Sequence, residues 1–140
     1  MVHIELTRVV GDFGFEAKDA NGHIVKLDTT EANGGNNFGA SPMQTLLMAL
    51  GGCSAIDVVS ILNKQRQNVV DFNIKIDAER EQGKEPALWK YVKIHFFLKG
   101  ELDYDKAYRA CQLSMEKYCS VGATLMLAGC KIDWELQISE

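Results

Sequence analysis

The side chains best suited to nucleophilic chemistry in this 140-residue chain are four thiols, Cys53, Cys111, Cys119 and Cys130. The three histidines form no HExxH motif and have no spacing to cysteine that suits a tetrahedral site, so we expect neither a metal nor a cofactor. A GxSxG motif, which would mark a serine nucleophile, is also absent. Any covalent chemistry is therefore expected to be thiol chemistry.

The sequence surroundings distinguish Cys53 from Cys119. Cys53 lies in the middle of a long apolar segment, where a free cysteine is usually an inert small hydrophobe. Cys119 immediately precedes the run SVGATLML, which predicts a short helix. Because backbone N–H groups and the dipole at a helix N-terminus favour the thiolate, we expect the pKa of Cys119 to be lowered. Cys111 and Cys130 are expected to be structural.

The thiols must be positioned by strands and helices that the sequence pattern predicts. Alternation of apolar and polar residues predicts strands over residues 2–7, 13–18, 72–79, 91–98 and 131–138. Near the first pair, a three-residue loop ending at Gly22 sets Ala17 opposite Val25 and Phe15 opposite Leu27, which keeps the apolar side chains on one face. The chain between residues 28 and 41 is expected to be a long irregular loop, either functional or a plain connector.

The segment that carries Cys53 predicts a buried helix. Ser41 is the expected N-cap, Pro42 the first helical residue and Gln44 the partner in a capping box. The following residues, through Leu62, are apolar on nearly every face, which requires a core or a membrane; Asp57 favours the core. A later helix is expected from Asp103 to about residue 118. Residues 1–140 are thus predicted to form a single α+β domain with an antiparallel sheet on a buried central helix.

Composition limits the possible partners. The chain is 46% hydrophobic with only two prolines, so it is expected to fold as a globular protein. Its formal net charge of −4 predicts no binding to nucleic acid or to an anionic membrane surface. The opening residues MVHIELTRVV lack the pattern of an export signal. We therefore expect a cytoplasmic protein whose cysteines are reduced.

The long apolar segment and the second thiol together resemble a known family. The run SPMQTLLMALGGCSAIDVVSIL, followed 66 residues after its cysteine by Cys119 in KYCSVGATL, resembles the OsmC/Ohr family of osmotically inducible and organic hydroperoxide resistance proteins. The predicted order of strands and helices agrees with that family over essentially the whole chain. The resemblance implies an intertwined homodimer with two sites at the subunit boundary.

The same resemblance implies roles for individual residues. Cys53 would be the peroxidatic cysteine that attacks an organic hydroperoxide, and Cys119 the resolving cysteine that closes a disulfide on it. A dithiol reductant would complete the cycle. Met43 and Gln44 are the candidate substrate-binding residues, with the Gln44 amide able to orient a substrate oxygen.

Two differences from the peroxidase members leave a second function open. Met43 stands where those members have a glutamate that pairs with an arginine, and this chain has no arginine between Arg8 and Arg66. One hypothesis is therefore cysteine-dependent reduction of organic hydroperoxides in oxidative stress defence. The alternative is a non-catalytic OsmC-like dimer that binds a small apolar or thiol-bearing ligand.

Overall fold

A computed structural model describes all 140 residues. The elements, in chain order, are β1 (Glu5–Val10), β2 (Gly14–Lys18), β3 (Ile24–Leu27), α1 (Pro42–Lys64), β4 (Asp71–Arg80), β5 (Trp89–Lys99), α2 (Tyr104–Leu113), α3 (Ser120–Leu127) and β6 (Lys131–Ser139). This composition confirms the α+β class. The chain forms two compact units, Met1–Leu47 and Met48–Glu140. The single domain over 1–140 stays a prediction.

The first unit contains an antiparallel sheet in the order β1-β2-β3. The predicted register is confirmed, since Ala17 lies opposite Val25 and Phe15 opposite Leu27. Gly22 has φ +84°, the left-handed conformation that a three-residue hairpin loop requires at this position.

The long segment between β3 and α1 is organised by one buried carboxylate. Asp28 is 2% exposed, and its oxygens accept the N–H groups of Thr29 at 2.7 Å, Asn36 at 3.0 Å and Phe38 at 3.2 Å. These hydrogen bonds hold the pKa of Asp28 below its ordinary value, with the Asn36 N–H as the largest cause and burial opposing it. The segment is thus an internally hydrogen-bonded loop rather than an open connector.

Helix α1 begins where the sequence predicts. Pro42 is its first residue, and the N–H of Gln44 donates to Ser41 Oγ at 3.4 Å. Within this chain, however, α1 is not buried on every face. The fully buried residues recur at every fourth position and form one stripe, namely Leu50, Ser54, Val58 and Leu62. The other apolar side chains of α1 are not fully buried, because elements that pack along one side of a helix cover only that side.

By length and composition alone, α1 would be able to cross a membrane. A single helix of this kind is weak evidence for a membrane span, because the core helix of a soluble protein meets the same criteria. Asp57, in the middle of α1, is hydrogen-bonded within the second unit.

The second unit contains a sheet in the order β4-β5-β6. Strands β4 and β5 form the predicted antiparallel hairpin, and the inward side of β5 supplies a row of fully buried apolar residues centred on Ile94 and Phe96. The sequence predicts an antiparallel sheet, but β6 runs parallel to β5. Parallel pairing is possible here because α2 and α3 form the crossover that parallel neighbours need.

The connection between the last two helices brings Cys119 into place. Asp103 caps α2 by accepting the Lys106 N–H at 3.0 Å, as predicted. After α2, residues Ser114–Tyr118 form a single wider π-helical turn, and the Cys119 N–H donates to the Ser114 carbonyl at 2.8 Å. Cys119 is then the N-cap of α3. The wider turn therefore fixes the end of one helix and the start of the next around this thiol.

Candidate thiol site

Cys53 lies in the middle of α1 and is half-buried, with a free thiol. The two glycines before it face different surroundings. A Cβ on Gly51 would lie 3.2 Å from Ile76 Cδ1, so the glycine allows α1 to approach β4 closely. A Cβ on Gly52 would meet no atom within 4 Å. The helix surface next to Cys53 is therefore open within this chain.

Cys119 is held by backbone hydrogen bonds and is only 3% exposed. Its Sγ accepts the Gly122 N–H at 3.3 Å across the first turn of α3. The glycine packs closely here, since a Cβ on Gly122 would lie 3.4 Å from that sulfur. The sulfur is thus fixed in a dry environment at a helix N-terminus.

The structure brings the two thiols together with a carboxylate. The Cys53 and Cys119 sulfurs and one Asp57 carboxylate oxygen all lie within 4.8 Å of one another. From sequence, Asp57 only argues against a membrane span, and its place in the site is not predicted. The signal was its position four residues after Cys53, because residues at i and i+4 share a helix face.

A buried serine, Ser114, holds this carboxylate. The Ser114 hydroxyl, fully buried, donates to Asp57 Oδ2 at 3.0 Å and also lies 3.5 Å from the Ser54 carbonyl. The Ser54 hydroxyl, also fully buried, donates to the Leu50 carbonyl at 2.9 Å. A hydrogen bond to a charged acceptor contributes about 1.5–3 kcal/mol. The orientation of Asp57 toward the thiols is therefore set by the packing of the π turn against α1.

The expected lowering of the Cys119 pKa is wrong. Burial raises the pKa of this thiol to about 11, and the Gly122 N–H, which lowers it, offsets only part of that effect. The Cys53 thiol and the Asp57 carboxylate raise the pKa further. No cation is among the groups that act on Cys119. A single N–H at the start of a two-turn helix does not compensate for loss of water around a thiolate.

The other two cysteines, Cys111 and Cys130, are not members of this cluster. Cys111 is fully buried on α2, and burial raises its pKa to about 12. Cys130 is 5% exposed just before β6, and burial raises its pKa as well. All four cysteines are free thiols. A raised pKa lowers the thiolate population of both, and the structural role expected for them stays a prediction.

The two candidate substrate-binding residues lie in the first turn of α1, ten and nine residues before Cys53 in the chain. Met43 is half-buried, and the Gln44 side chain is exposed. Their contact with a substrate stays a prediction.

An open cleft of about 360 Å³ lies beside the carboxylate of the thiol cluster. Its lining residues are Asp57, Ser60, Ile61, Lys64, Leu113 and Tyr118. The volume falls within the range of small-molecule sites, and apolar side chains with a few polar groups are the usual lining of such sites. Of the thiol cluster, only Asp57 lines the cleft, which is therefore a candidate pocket for a small, partly apolar molecule beside the cluster.

Comparison with known proteins finds a family match over most of the chain. A family model described as "OsmC-like protein" matches residues 34–135. Protein YhfA of Escherichia coli strain K12 is 46% identical over 112 residues, which are 79% of this chain and 80% of that protein.

Solved structures share the fold. A hypothetical protein from Aquifex aeolicus VF5 is 30% identical, with a TM-score of 0.82 over 100% of this chain and 98% of that one. An organic hydroperoxide resistance protein OsmC from Legionella pneumophila has a TM-score of 0.69 at 16% identity, over 100% of this chain and 97% of that one. At that identity the likeness concerns the fold alone. The extent of the family match and the identity to YhfA show that this chain belongs to the OsmC-like protein family.

Proposed function

We propose that the protein reduces organic hydroperoxides by dithiol chemistry at Cys53 and Cys119. The observation that carries the proposal is the approach of the two sulfurs to within 4.8 Å in the reduced protein. A disulfide requires a sulfur separation of about 2.05 Å, so closure needs a shift of less than about 3 Å. Half-buried Cys53 is the accessible member and buried Cys119 the protected one, which suits attack by the first and resolution by the second.

The cycle has three balanced steps. The Cys53 thiolate attacks one peroxide oxygen, the O–O bond breaks, and the alcohol leaves after taking a proton, so that Cys53 becomes a sulfenic acid. The sulfur of Cys119 then attacks the Cys53 sulfur, and water leaves as the disulfide forms. A dithiol reductant restores both thiols by two exchange steps and is itself oxidised to a disulfide.

The residues that line the cleft beside Asp57 favour an organic hydroperoxide over hydrogen peroxide as the substrate. Ile61, Leu113 and Tyr118 offer apolar surface for an alkyl group, and Lys64 and Ser60 offer polar contacts. Burial of apolar substrate area contributes about 25 cal/mol per Å², which a peroxide without an alkyl group does not gain. The name of the fold relative from Legionella pneumophila, an organic hydroperoxide resistance protein, points to the same class of substrate.

A second candidate function is binding of a small apolar or thiol-bearing ligand without turnover. The observation that favours it is the Cys119 pKa of about 11, with burial as the main cause and no cation among the groups acting on it. A thiol that stays protonated resolves a sulfenic acid slowly. The two functions share the site and differ in whether the thiols react.

We also infer that the active form is a homodimer acting in the cytoplasm. Apolar side chains on α1 outside the buried stripe are well exposed within one chain, including Met48 at 59%, Ile56 at 72% and Val59 at 39%. Contiguous apolar surface of this kind is typical of a protein interface. A reducing compartment would keep the four cysteines as the free thiols seen in the structure.

The proposal is tested by stopped-flow reduction of tert-butyl hydroperoxide with dithiothreitol as reductant. We expect Cys53→Ser to abolish turnover. Cys119→Ser is expected to consume one equivalent of peroxide and then hold Cys53 as a sulfenic acid that dimedone traps. Cys130→Ser is the matched control and is expected to keep wild-type turnover. Equal turnover by the wild type and Cys53→Ser would reject the peroxidase function and leave ligand binding.

A further inference from the structure

Three potential metal ligands, two thiols and one carboxylate, converge in the second unit. The two sulfurs and one Asp57 oxygen lie within 4.8 Å of one another. Tetrahedral zinc, with Zn–S bonds of about 2.3 Å and Zn–O bonds of about 2.0–2.2 Å, requires ligand separations of roughly 3.6–3.8 Å. The separations therefore need to shorten by up to about 1.2 Å for the cluster to surround such an ion, which rotation of the half-buried Cys53 and Asp57 side chains can supply.

We propose that Cys53, Asp57 and Cys119 form a binding site for a thiophilic divalent cation of the zinc class. Two thiolates and one carboxylate bring three negative charges to a doubly charged ion, and sulfur ligands select against magnesium and calcium. Three protein ligands leave the fourth tetrahedral position open for water or a small ligand, as in reactive rather than structural zinc sites.

The groups around the three ligands support the site. The Ser114 hydroxyl donates to Asp57 Oδ2 at 3.0 Å and so orients the carboxylate. The Gly122 N–H donates to Cys119 Sγ at 3.3 Å, which stabilises negative charge on the sulfur. Such second-layer hydrogen bonds orient ligands, and losing one typically lowers metal affinity by about 10–100-fold.

Metal binding would compete with thiol oxidation. The same two sulfurs cannot both bind the cation and form a disulfide with each other. The inference thus goes beyond the proposed function and adds a state in which the thiol pair is protected from oxidation. The histidine motifs and cysteine spacing of the sequence predict no metal site, whereas this ligand set joins two distant parts of the chain.

The test uses the reduced, chelator-washed wild-type protein without peroxide. We expect Zn²⁺ to bind with one ion per chain in competition with a chromophoric chelator, and Co²⁺ to give a thiolate charge-transfer absorption. Cys53→Ser and Asp57→Asn are expected to weaken Zn²⁺ binding by at least about tenfold. Cys130→Ser is the control and is expected to bind as the wild type does. Circular dichroism is used to check that each variant is folded.

A measurement on the unmodified protein makes the test independent of folding defects. We expect Zn²⁺ to slow alkylation of Cys53 in the wild type. No competition with the chelator, or unchanged binding in the folded Cys53→Ser variant, would overturn the inference. Peroxide turnover is measured separately on metal-free protein, so that zinc binding without turnover rejects only the proposed function, and turnover without zinc binding rejects only this site.

Discussion

Replacement of Asp57 by asparagine tests the electrostatics of the thiol pair. The change keeps the size of the side chain and removes a negative charge that lies within 4.8 Å of the Cys119 sulfur. That charge is one of the causes of the raised Cys119 pKa. We therefore expect Asp57→Asn to increase the thiolate population of Cys119 at any pH below about 11.

The magnitude follows from Coulomb's law. At a separation of 4.8 Å, the charge disfavours the thiolate by about 0.9 kcal/mol in a water-like medium. This energy corresponds to a thiolate increase of about 4-fold and leaves burial as the main cause of the raised Cys119 pKa. Because a thiolate of lower pKa is also a weaker nucleophile, the net gain in reaction rate is about 2-fold.

The assay is alkylation of Cys119 by iodoacetamide at pH 8 with a chelator present, followed by peptide mass spectrometry. The poor accessibility of Cys119 affects both proteins alike and cancels in the ratio of their rates. Cys130 in the same sample is the internal standard. The control variant is Asp71→Asn, since Asp71 is not among the groups that act on the Cys119 pKa. An unchanged or slower rate in Asp57→Asn would refute the electrostatic reasoning.

Three further predictions concern assembly and stability. Light scattering is expected to give about twice the chain mass of 15.6 kDa, and a wild-type monomer would contradict this. Ile56→Lys, at an exposed position of α1, is expected to shift the protein toward a folded monomer. The Asp28 carboxylate is expected to contribute stability that is present above the ordinary aspartate pKa of 3.8 and is lost as the pH falls through the lowered pKa of the folded state. Asp28→Asn is expected to remove this contribution. Identical acid-unfolding curves of the two proteins, measured by circular dichroism, would count against it. Leu62→Ala, at a fully buried position, is expected to lower the free energy of unfolding in urea by about 2–5 kcal/mol. Leu127→Ala, at a 90% exposed position, is expected to change that free energy little.

The features predicted correctly from the sequence depend on local chemistry. The hairpin register follows from the apolar pattern around Gly22, and the start of α1 follows from Ser41 and Pro42. The run SVGATLML also predicts that Cys119, which precedes it, lies at the N-terminus of α3. In each case a few neighbouring residues determine the backbone conformation, so no knowledge of distant contacts is needed.

The features that were missed depend on distant contacts. The parallel pairing of β6 with β5 is set by how two intervening helices pack, which the strand pattern of β6 does not encode. The role of Asp57 depends on Ser114, a residue 57 positions later, and on the π turn that presents it. The raised Cys119 pKa reflects burial by the surrounding chain, whereas the sequence shows only the favourable helix N-terminus. The thiols could be identified as candidates from sequence, but their electrostatic surroundings could not.

The central claim is that Cys53 and Cys119 act as one redox pair. The most direct measurement is disulfide mapping by mass spectrometry after the reduced protein has reacted with one equivalent of an alkyl hydroperoxide per chain. We predict a dominant disulfide between Cys53 and Cys119, with Cys111 and Cys130 recovered as thiols. A dominant disulfide that involves Cys111 or Cys130, or recovery of four thiols after the peroxide has been added, would contradict the claim.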